Sequence, residues 1–473
     1  MSFKYEELRE KYQSFIYSGF ETIRTEDKLK VVYDFEVPGL ARFNPSLEFP
    51  LDHKLIINDA LSPFAEKILF SIGMVELISY WKIACPPRVE VKAGKLTDDQ
   101  INWWKSLYFN GLGEFFFKNG ISPSKSDFMS IETSGKDFSE ISSDFKTQGL
   151  NLIPVGGGKD SIVTLEHLSK VRDNNVCFGL NPTVASRDSM EISGYSDEQR
   201  FIVSRTLDPE MLRLNKEGYL NGHTPFSALL AFVSYYVAYL IGAENIILSN
   251  EASANAASIP GTEINHQYSK TSEFEIAFQN YSEKYFSDKI YYFSLLRPFA
   301  EIAIARSFCQ YEQYFQAFRS CNLGSKKNIW CGECPKCLFI YVMISPFLQA
   351  EKVESIFGQN LWEKESLVKD WKELIGIIPQ KPFECVGTVE EVQYATYLIV
   401  NKTLDNGAEI SELPLLLSIA VESAKNGDLS ELKFDENTNR LISEAKVNPL
   451  SLWHEDERVP ENFKGLIMDI LAE

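Results

Sequence analysis

Short apolar runs and helix-length segments alternate through the middle of the chain, and this alternation sets the expected architecture. The runs "LNLIPV", "NVCFGL", "RFIVSRTL", "NIILS" and "IYYFSLL" are too short for helices and read as buried strands. Helical patterns lie between them, beginning near Ser161, near Asp188 and at Pro225. At the last, Thr224 is placed to cap and Pro225 to take the first helical position. Strands alternating with helices predict an α/β fold built on a doubly wound parallel sheet.

The flanks read differently. Residues 1–145 mix β-like runs such as "KVVYDFEV" with helical ones such as "FAEKILFSIGMVELISYWKI", which predicts an α+β domain. The block ends in the Ser-rich "ISPSKSDFMSIETSGKDFSEISSD", expected to be a linker or surface loop. Its aromatics, Trp103, Trp104, Tyr108, Phe109 and those of "EFFFKNG", are expected in the core, with a substrate wall as the lesser reading. Three units follow: 1–145, 146–345 and a helical, acidic 346–473. The uncharged "FSALLAFVSYYVAYLIGA" barely reaches membrane-spanning length, and its serines and tyrosines favour a buried helix.

Composition narrows the class. A chain of 473 residues, 44% apolar and 24% charged, is long for one core and reads as globular. A net charge of −19 opposes a general nucleic-acid grip, so no nucleic-acid partner is expected. The opening "MSFKYEELREKYQSF" has no apolar core of a signal peptide, so a cytoplasmic location and no membrane partner are expected.

The candidate chemistry begins at "PVGGGKDS". A turn of Gly156, Gly157 and Gly158 between strand and helix lets the backbone approach an anion, and the helix from about Ser161 points free N–H groups at the same place. Phosphate is the natural ligand. A Walker A loop fails on spacing, since Asp160 stands where the magnesium-binding hydroxyl belongs. A dinucleotide fingerprint also fails, since the second strand ends in Asn181 where an acid would hold a ribose. The turn does resemble the pyrophosphate loop of ATP pyrophosphatases, with Gly156 in place of the first serine. That resemblance implies ATP cleaved between α- and β-phosphates, with Asp160 helping to hold Mg2+ and Lys159 pairing with a phosphate or carboxylate. Asn181, Asn250, Glu251 and Arg297, at or near strand ends, are further nucleotide-binding candidates.

A second cluster is "SCNLGSKKNIWCGECPKCLF". Cys321, Cys331, Cys334 and Cys337 have the spacing of a tetrahedral thiolate site, and structural zinc is the favoured occupant over an iron–sulfur cluster or free thiols. Glu333 and Lys336 within it are expected to be solvated. The knuckle resembles that of 7-cyano-7-deazaguanine synthases.

Taken together, "FSIGMVELISYWKIACPP", "INWWKSLYFNGLGEFFFKNG", "PVGGGKDS", "NGHTPFSALLAF", "LSNEASAN", "INHQYSK" and "KPFECVGT" are similar to the MurL family of ATP-dependent muramoyl-dipeptide glutamate epimerases. The resemblance implies conversion of UDP-N-acetylmuramoyl-L-alanyl-L-glutamate to its D-glutamate form through an acyl-adenylate, with release of AMP and diphosphate. Proton carriers are then needed, and His266, Tyr268, Lys270 and His223 are the candidates. Cys385 is expected to be an inert buried thiol, and a two-cysteine pair with Cys85 is a minor reading. An amide- or nitrile-forming ligase of the same superfamily, a tRNA-thiolating enzyme and a non-catalytic nucleotide-binding module are the alternatives. Oligomeric state is not legible.

Overall fold

A computed structural model describes residues 4–259, 261–454, 456 and 458–471. Its strands are β1 (Ser14–Arg24), β2 (Lys28–Val37), β3 (Ala41–Phe43), β4 (Ser46–Pro50), β5 (Arg88–Val91), β6 (Ser130–Thr133), β7 (Leu150–Pro154), β8 (Asn175–Leu180), β9 (Arg200–Thr206), β10 (Ala243–Leu248), β11 (Tyr291–Ser294), β12 (Leu432–Asp435) and β13 (Arg440–Ser443). All but the last two join one 11-stranded sheet of order β11-β10-β7-β8-β9-β4-β2-β1-β5-β6, with β3 beside β2.

The five runs read as buried strands are β7 to β11, and they pair in parallel. The sheet as a whole is mixed, however. Beyond β9 it continues antiparallel into the N-terminal strands, with Ser46 opposite Thr206. An exposed β9 would present a row of unpaired backbone groups, and β4 covers that edge. β2 shows the half-buried alternation expected of such a strand, with Leu29, Val31, Tyr33, Phe35 and Val37 turned inward.

The Ser-rich stretch expected to be a linker contains β6, which pairs in parallel with β5 through Ile131 opposite Val89. The helix expected near Asp188 runs Val184–Ile192, with the Thr183 hydroxyl accepting the Ser186 N–H at 3.1 Å. Thr224 does not cap its helix. Pro225 itself is the N-cap of Phe226–Ile241, with no side-chain capping bond. The region 346–473, expected to be helical, also carries the β12–β13 hairpin.

Helix Phe226–Ile241 is buried nearly all round. Tyr236 and Tyr239 each donate at 2.8 Å to carbonyls of Ala60 and Asp59, and Tyr235 donates to the Ser287 carbonyl at 3.1 Å. This helix packs against the other long apolar helix, Pro63–Trp81. Among the described residues no helix is long and apolar enough to cross a membrane. Trp104 and Tyr108 are fully buried, as the core reading requires.

Candidate active site

The strand order reverses at β7, which has β8 on one side and β10 on the other. In open α/β sheets that switch point leaves a crevice beyond the carboxyl ends of the strands. A cavity of about 330 Å3 lies there, against Pro154 of β7 and Leu248 of β10.

The glycine turn forms its floor. Gly157 has φ +80°, and a Cβ on it would lie 2.5 Å from Ser186 N; one on Gly158 would lie 2.6 Å from Ser320 Oγ. Glycine is required at the first place, where the contact is backbone and φ is positive; at the second a side chain fits only if the Ser320 hydroxyl turns away. Gly156, Gly158, Asp160 and Ser161 line the cavity, and Gly158 caps the helix Lys159–His167. The free N–H groups of that helix start are an anion site by construction. Ser161 Oγ accepts the Gly157 N–H at 3.1 Å and donates to the Gly158 carbonyl at 2.9 Å, so it ties the turn together.

Lys159 does not reach the cavity. It is fully buried, and its ammonium pairs with Asp160 and, at 2.8 Å, with Glu301. Burial opposes its charge, but the two carboxylates outweigh this and hold its pKa above the usual lysine range. Asp160, Glu251 and Glu301 bring one oxygen each within 4.8 Å of one another. Burial pushes Glu301 up to about 8, and its Oε2 has no hydrogen-bond partner. A buried orphan oxygen beside two further carboxylates suits a hard divalent cation.

The cavity wall also carries Lys270, Lys336 and Cys385. Lys270 Nζ donates to Cys385 Sγ at 3.4 Å, and Lys336 donates to the Cys385 carbonyl. Lys336 is therefore not solvated; it is 9% exposed. Burial disfavours the Cys385 thiolate, yet Lys270, a hydrogen bond from His266 and the Lys336 charge together bring the thiol down to about 6. The expectation of an inert thiol fails because two lysines and a histidine converge on it.

Behind this wall, His266 Nδ1 is hydrogen-bonded to Glu114, and the His223 ring lies tilted at 42° with its centroid 4.4 Å from that of His266. Burial works against a charge on His266, but hydrogen bonds to Cys385 and Glu114 raise it to about 9. Burial and the neighbouring His266 charge depress His223 to about 4.

Several candidates lie elsewhere. Tyr268 faces a separate surface cleft, 3.3 Å from Glu273 Oε1. Asn181 uses its amide on the backbone of Arg205, at 2.7 and 2.8 Å, and does not line the cavity. Arg297 is buried and spends its guanidinium on Glu275 and on the carbonyls of Glu251 and Lys270, at 2.9, 2.7 and 2.6 Å. It positions two cavity segments from behind. Asn250 and Glu251 line the cavity, whereas Asn255 caps the next helix through Ser272. Cys85 is buried in the N-terminal core and held there by the Lys82 carbonyl, so no two-cysteine pair forms.

The four clustered cysteines adjoin the cavity through Cys321 alone. Their sulfurs lie within 4.8 Å of one another, Cys331 and Cys337 being 3.6 Å apart, close to the ~3.8 Å edge of a zinc–thiolate tetrahedron. Backbone N–H groups of Gly324, Glu333 and Cys337 point at Cys321, Cys331 and Cys334. The segment carrying Arg319, Ser320, Asn322 and Asn328 is thereby held as a side wall, and the Arg319 N–H donates to the Gly157 carbonyl at 2.9 Å.

Family comparison decides the grouping. The family models described as the MurL N-terminal domain and MurL C-terminal domain match residues 6–295 and 316–423. The chain belongs to the MurL family. It is similar to proteins named UDP-N-acetyl-alpha-D-muramoyl-L-alanyl-L-glutamate epimerase. The one from Xanthomonas oryzae pv. oryzae (strain MAFF 311018) is 30% identical over 84% of this chain and 86% of its own. Those from Micromonospora sp. and Salinispora tropica are each 32% identical, over 77% and 76% of this chain and 81% and 79% of their own. Both MurL domains contribute to the cavity: the glycine turn and Lys270 lie in the first match, Lys336 and Cys385 in the second. Glu114, Glu301, Lys336 and Cys385 escaped the sequence reading as site residues. Only Cys385 had a local signal, in "KPFECVGT".

Proposed function

We propose that this protein inverts the terminal L-glutamate of UDP-N-acetylmuramoyl-L-alanyl-L-glutamate in peptidoglycan precursor synthesis, at the expense of ATP. What carries the reading is one cavity holding both an anion-cradling turn, Gly156–Gly158, and proton-carrying groups, Lys270 and Cys385 with His266 behind. The names of the relatives supply the substrate.

The chemistry explains why both halves are needed. Removing the α-proton of a carboxylate builds a carbanion beside a full negative charge. Transfer of AMP from ATP to that carboxylate, with diphosphate leaving, cancels the charge and lets the acyl carbonyl accept the electron pair. The core is read as a doubly wound pyrophosphatase domain whose helix start and turn amides hold the phosphates. Asp160, Glu251 and Glu301 would hold Mg2+, which neutralises phosphate charge when bound. Cys321, Cys331, Cys334 and Cys337 would hold structural zinc. Lys270, His266 and His223 are the proton-handling groups on or behind the cavity wall. Water then cleaves the adenylate and frees the inverted product.

The test is incubation with the UDP-muramoyl dipeptide, ATP and Mg2+ in deuterated water. AMP, D-glutamate and deuterium at its α-carbon are expected together, and Asp160→Asn is expected to remove all three. Inversion without ATP, or formation of ADP by γ-phosphate transfer, would overturn the reading.

A further inference from the structure

Cys385 is not a solitary thiol. It is half-buried in the wall of the cavity that the glycine turn also lines. Lys270 donates to its sulfur at 3.4 Å, His266 lies close enough to act on the thiol, and Glu114 in turn holds His266 through Nδ1. Glu114 is itself fixed by Lys118 one helical turn on. A thiol backed by a histidine that is oriented by a carboxylate is the arrangement that prepares a reactive sulfur. The remaining cysteines outside the four-sulfur cluster, Cys85, Cys177 and Cys309, are buried with their thiols pushed up by desolvation. Cys385 alone among these four is driven toward the thiolate, and it alone lines the cavity.

We propose that Cys385 is a catalytic residue, its sulfur accepting the α-proton of the activated glutamyl residue, with His266, Lys270 and Glu114 as positioning residues that keep it ready. The proposal rests on the epimerase reading above and adds to it which atom takes the proton. In the step the α C–H bond breaks, its electron pair moves into the acyl carbonyl to give the enolate, and the S–H bond forms. A solvent water on the face turned away from the sulfur delivers a proton there and forms the new C–H bond. The thiol then loses its proton to solvent, which makes good the hydroxide left behind. No oxidant or reductant is involved, and sulfur makes no bond to carbon.

Lys270 and Cys385 line the cavity, and His266 does not. The Lys270 ammonium is held protonated, chiefly by the Cys385 charge, and so cannot accept a proton. His266 at about 9 is likewise an acid at neutral pH. The thiolate is the one basic atom among the three.

Wild-type, Cys385→Ala and Cys385→Ser proteins should be compared with the UDP-muramoyl dipeptide, ATP and Mg2+ in deuterated water, reading AMP and α-deuterium separately. The α-deuterium of each variant is read per AMP formed, because a change that only disturbed binding would lower both together. Deuterium incorporation should fall by about 10²–10⁴, the usual worth of a positioned base. Incorporation by Cys385→Ala within tenfold of wild type would overturn the proposal, as would a quenched wild-type protein whose mass shows the glutamyl group bound to Cys385. If the variants fail to fold, iodoacetamide on the wild-type protein serves instead. Inversion should fall in step with modification of Cys385 mapped by peptide mass, and full modification with undiminished exchange would overturn it. A wild-type protein that forms neither AMP nor D-glutamate would defeat the epimerase reading itself, a distinct outcome.

Discussion

At Gly157 a methyl group would meet Ser186 N at 2.5 Å and Ala185 C at 2.7 Å, both of them backbone, on a residue whose φ is +80°. Neither neighbour can rotate away. Gly157→Ala is therefore expected to lower stability by about 1–3 kcal/mol, the range for a strained backbone, and to weaken ATP binding as the turn opens. Gly156, with nothing within 4 Å of its added Cβ, should accept alanine without loss of thermal stability. Melting curves of the two variants, read side by side, check this contrast.

The buried Glu114, His223 and His266 group sets a pH profile at the same scale. His266, raised to about 9, contributes stability that is fully present below its unfolded value near 6.5 and is lost as pH rises through 9. His223, depressed to about 4, acts oppositely: stability falls as pH drops from about 6.5 toward 4, because the unfolded chain takes the proton first. Glu114 is opposed by burial but brought down to about 2 by His266 and Lys118, so its contribution holds above the ordinary carboxylate range near 4.5 and fades toward 2. Stability from this group should peak near pH 6.5. Cys385, brought down to about 6, gains stability between pH 6 and 9 as His266 loses it, so denaturant midpoints should stay level there in the wild type and climb with pH in His266→Ala.

At the scale of elements, the strand β9 is fastened to helix Pro63–Trp81 by a buried pair. Arg205 reaches Glu76 through Nε at 3.1 and 3.2 Å and through Nη2 at 2.8 Å, with Glu76 only 3% exposed. Burial pushes the Glu76 carboxyl up, against the pull of Arg205. Arg205→Ala leaves an uncompensated carboxylate inside and should cost about 3–5 kcal/mol, whereas the double change Glu76→Met with Arg205→Met should cost much less. Chemical denaturation of the three proteins measures the difference.

Elements were also where the chain was most readable. β7 and β8 could be taken from their apolar runs because strands buried almost throughout carry few polar residues, while β9 could be taken from its half-buried alternation. β6 could not: "SIET" carries one inward apolar residue, and its pairing with β5 is fixed by packing far along the chain. The turn and the cysteine knuckle were visible because their chemistry is local in sequence. The Cys385 surroundings were not, since Glu114, His266, Lys270 and Lys336 arrive from separate stretches and only the fold gathers them. Asn181 and Arg297 misled for the converse reason. A polar side chain at a strand end can turn to its own backbone neighbours, as both do.

For the whole molecule, the sheet runs without interruption from residues of 1–145 into those of 146–345 through β4 and β9. The hydrophobic cluster on the N-terminal side also draws Phe232, Tyr236, Phe278 and Tyr292 from the later segment. A fragment of residues 1–145 would expose the β4 edge and lose about two-fifths of the buried residues in that cluster, so it is expected to aggregate. Expression of the fragment, followed by sedimentation, tests this; a soluble, cooperatively melting product would contradict it.

Helix Phe226–Ile241 offers Ser227 and Leu230 to the cavity at one end, while its tyrosines are pinned into the distant core at the other. Such a rod transmits volume changes lengthwise, because a packed interior yields by shifting rather than by compressing. Directed evolution of this scaffold toward new substrates should therefore recover useful substitutions around Ala60 and Tyr239. Libraries confined to the residues that a ligand touches would never sample them.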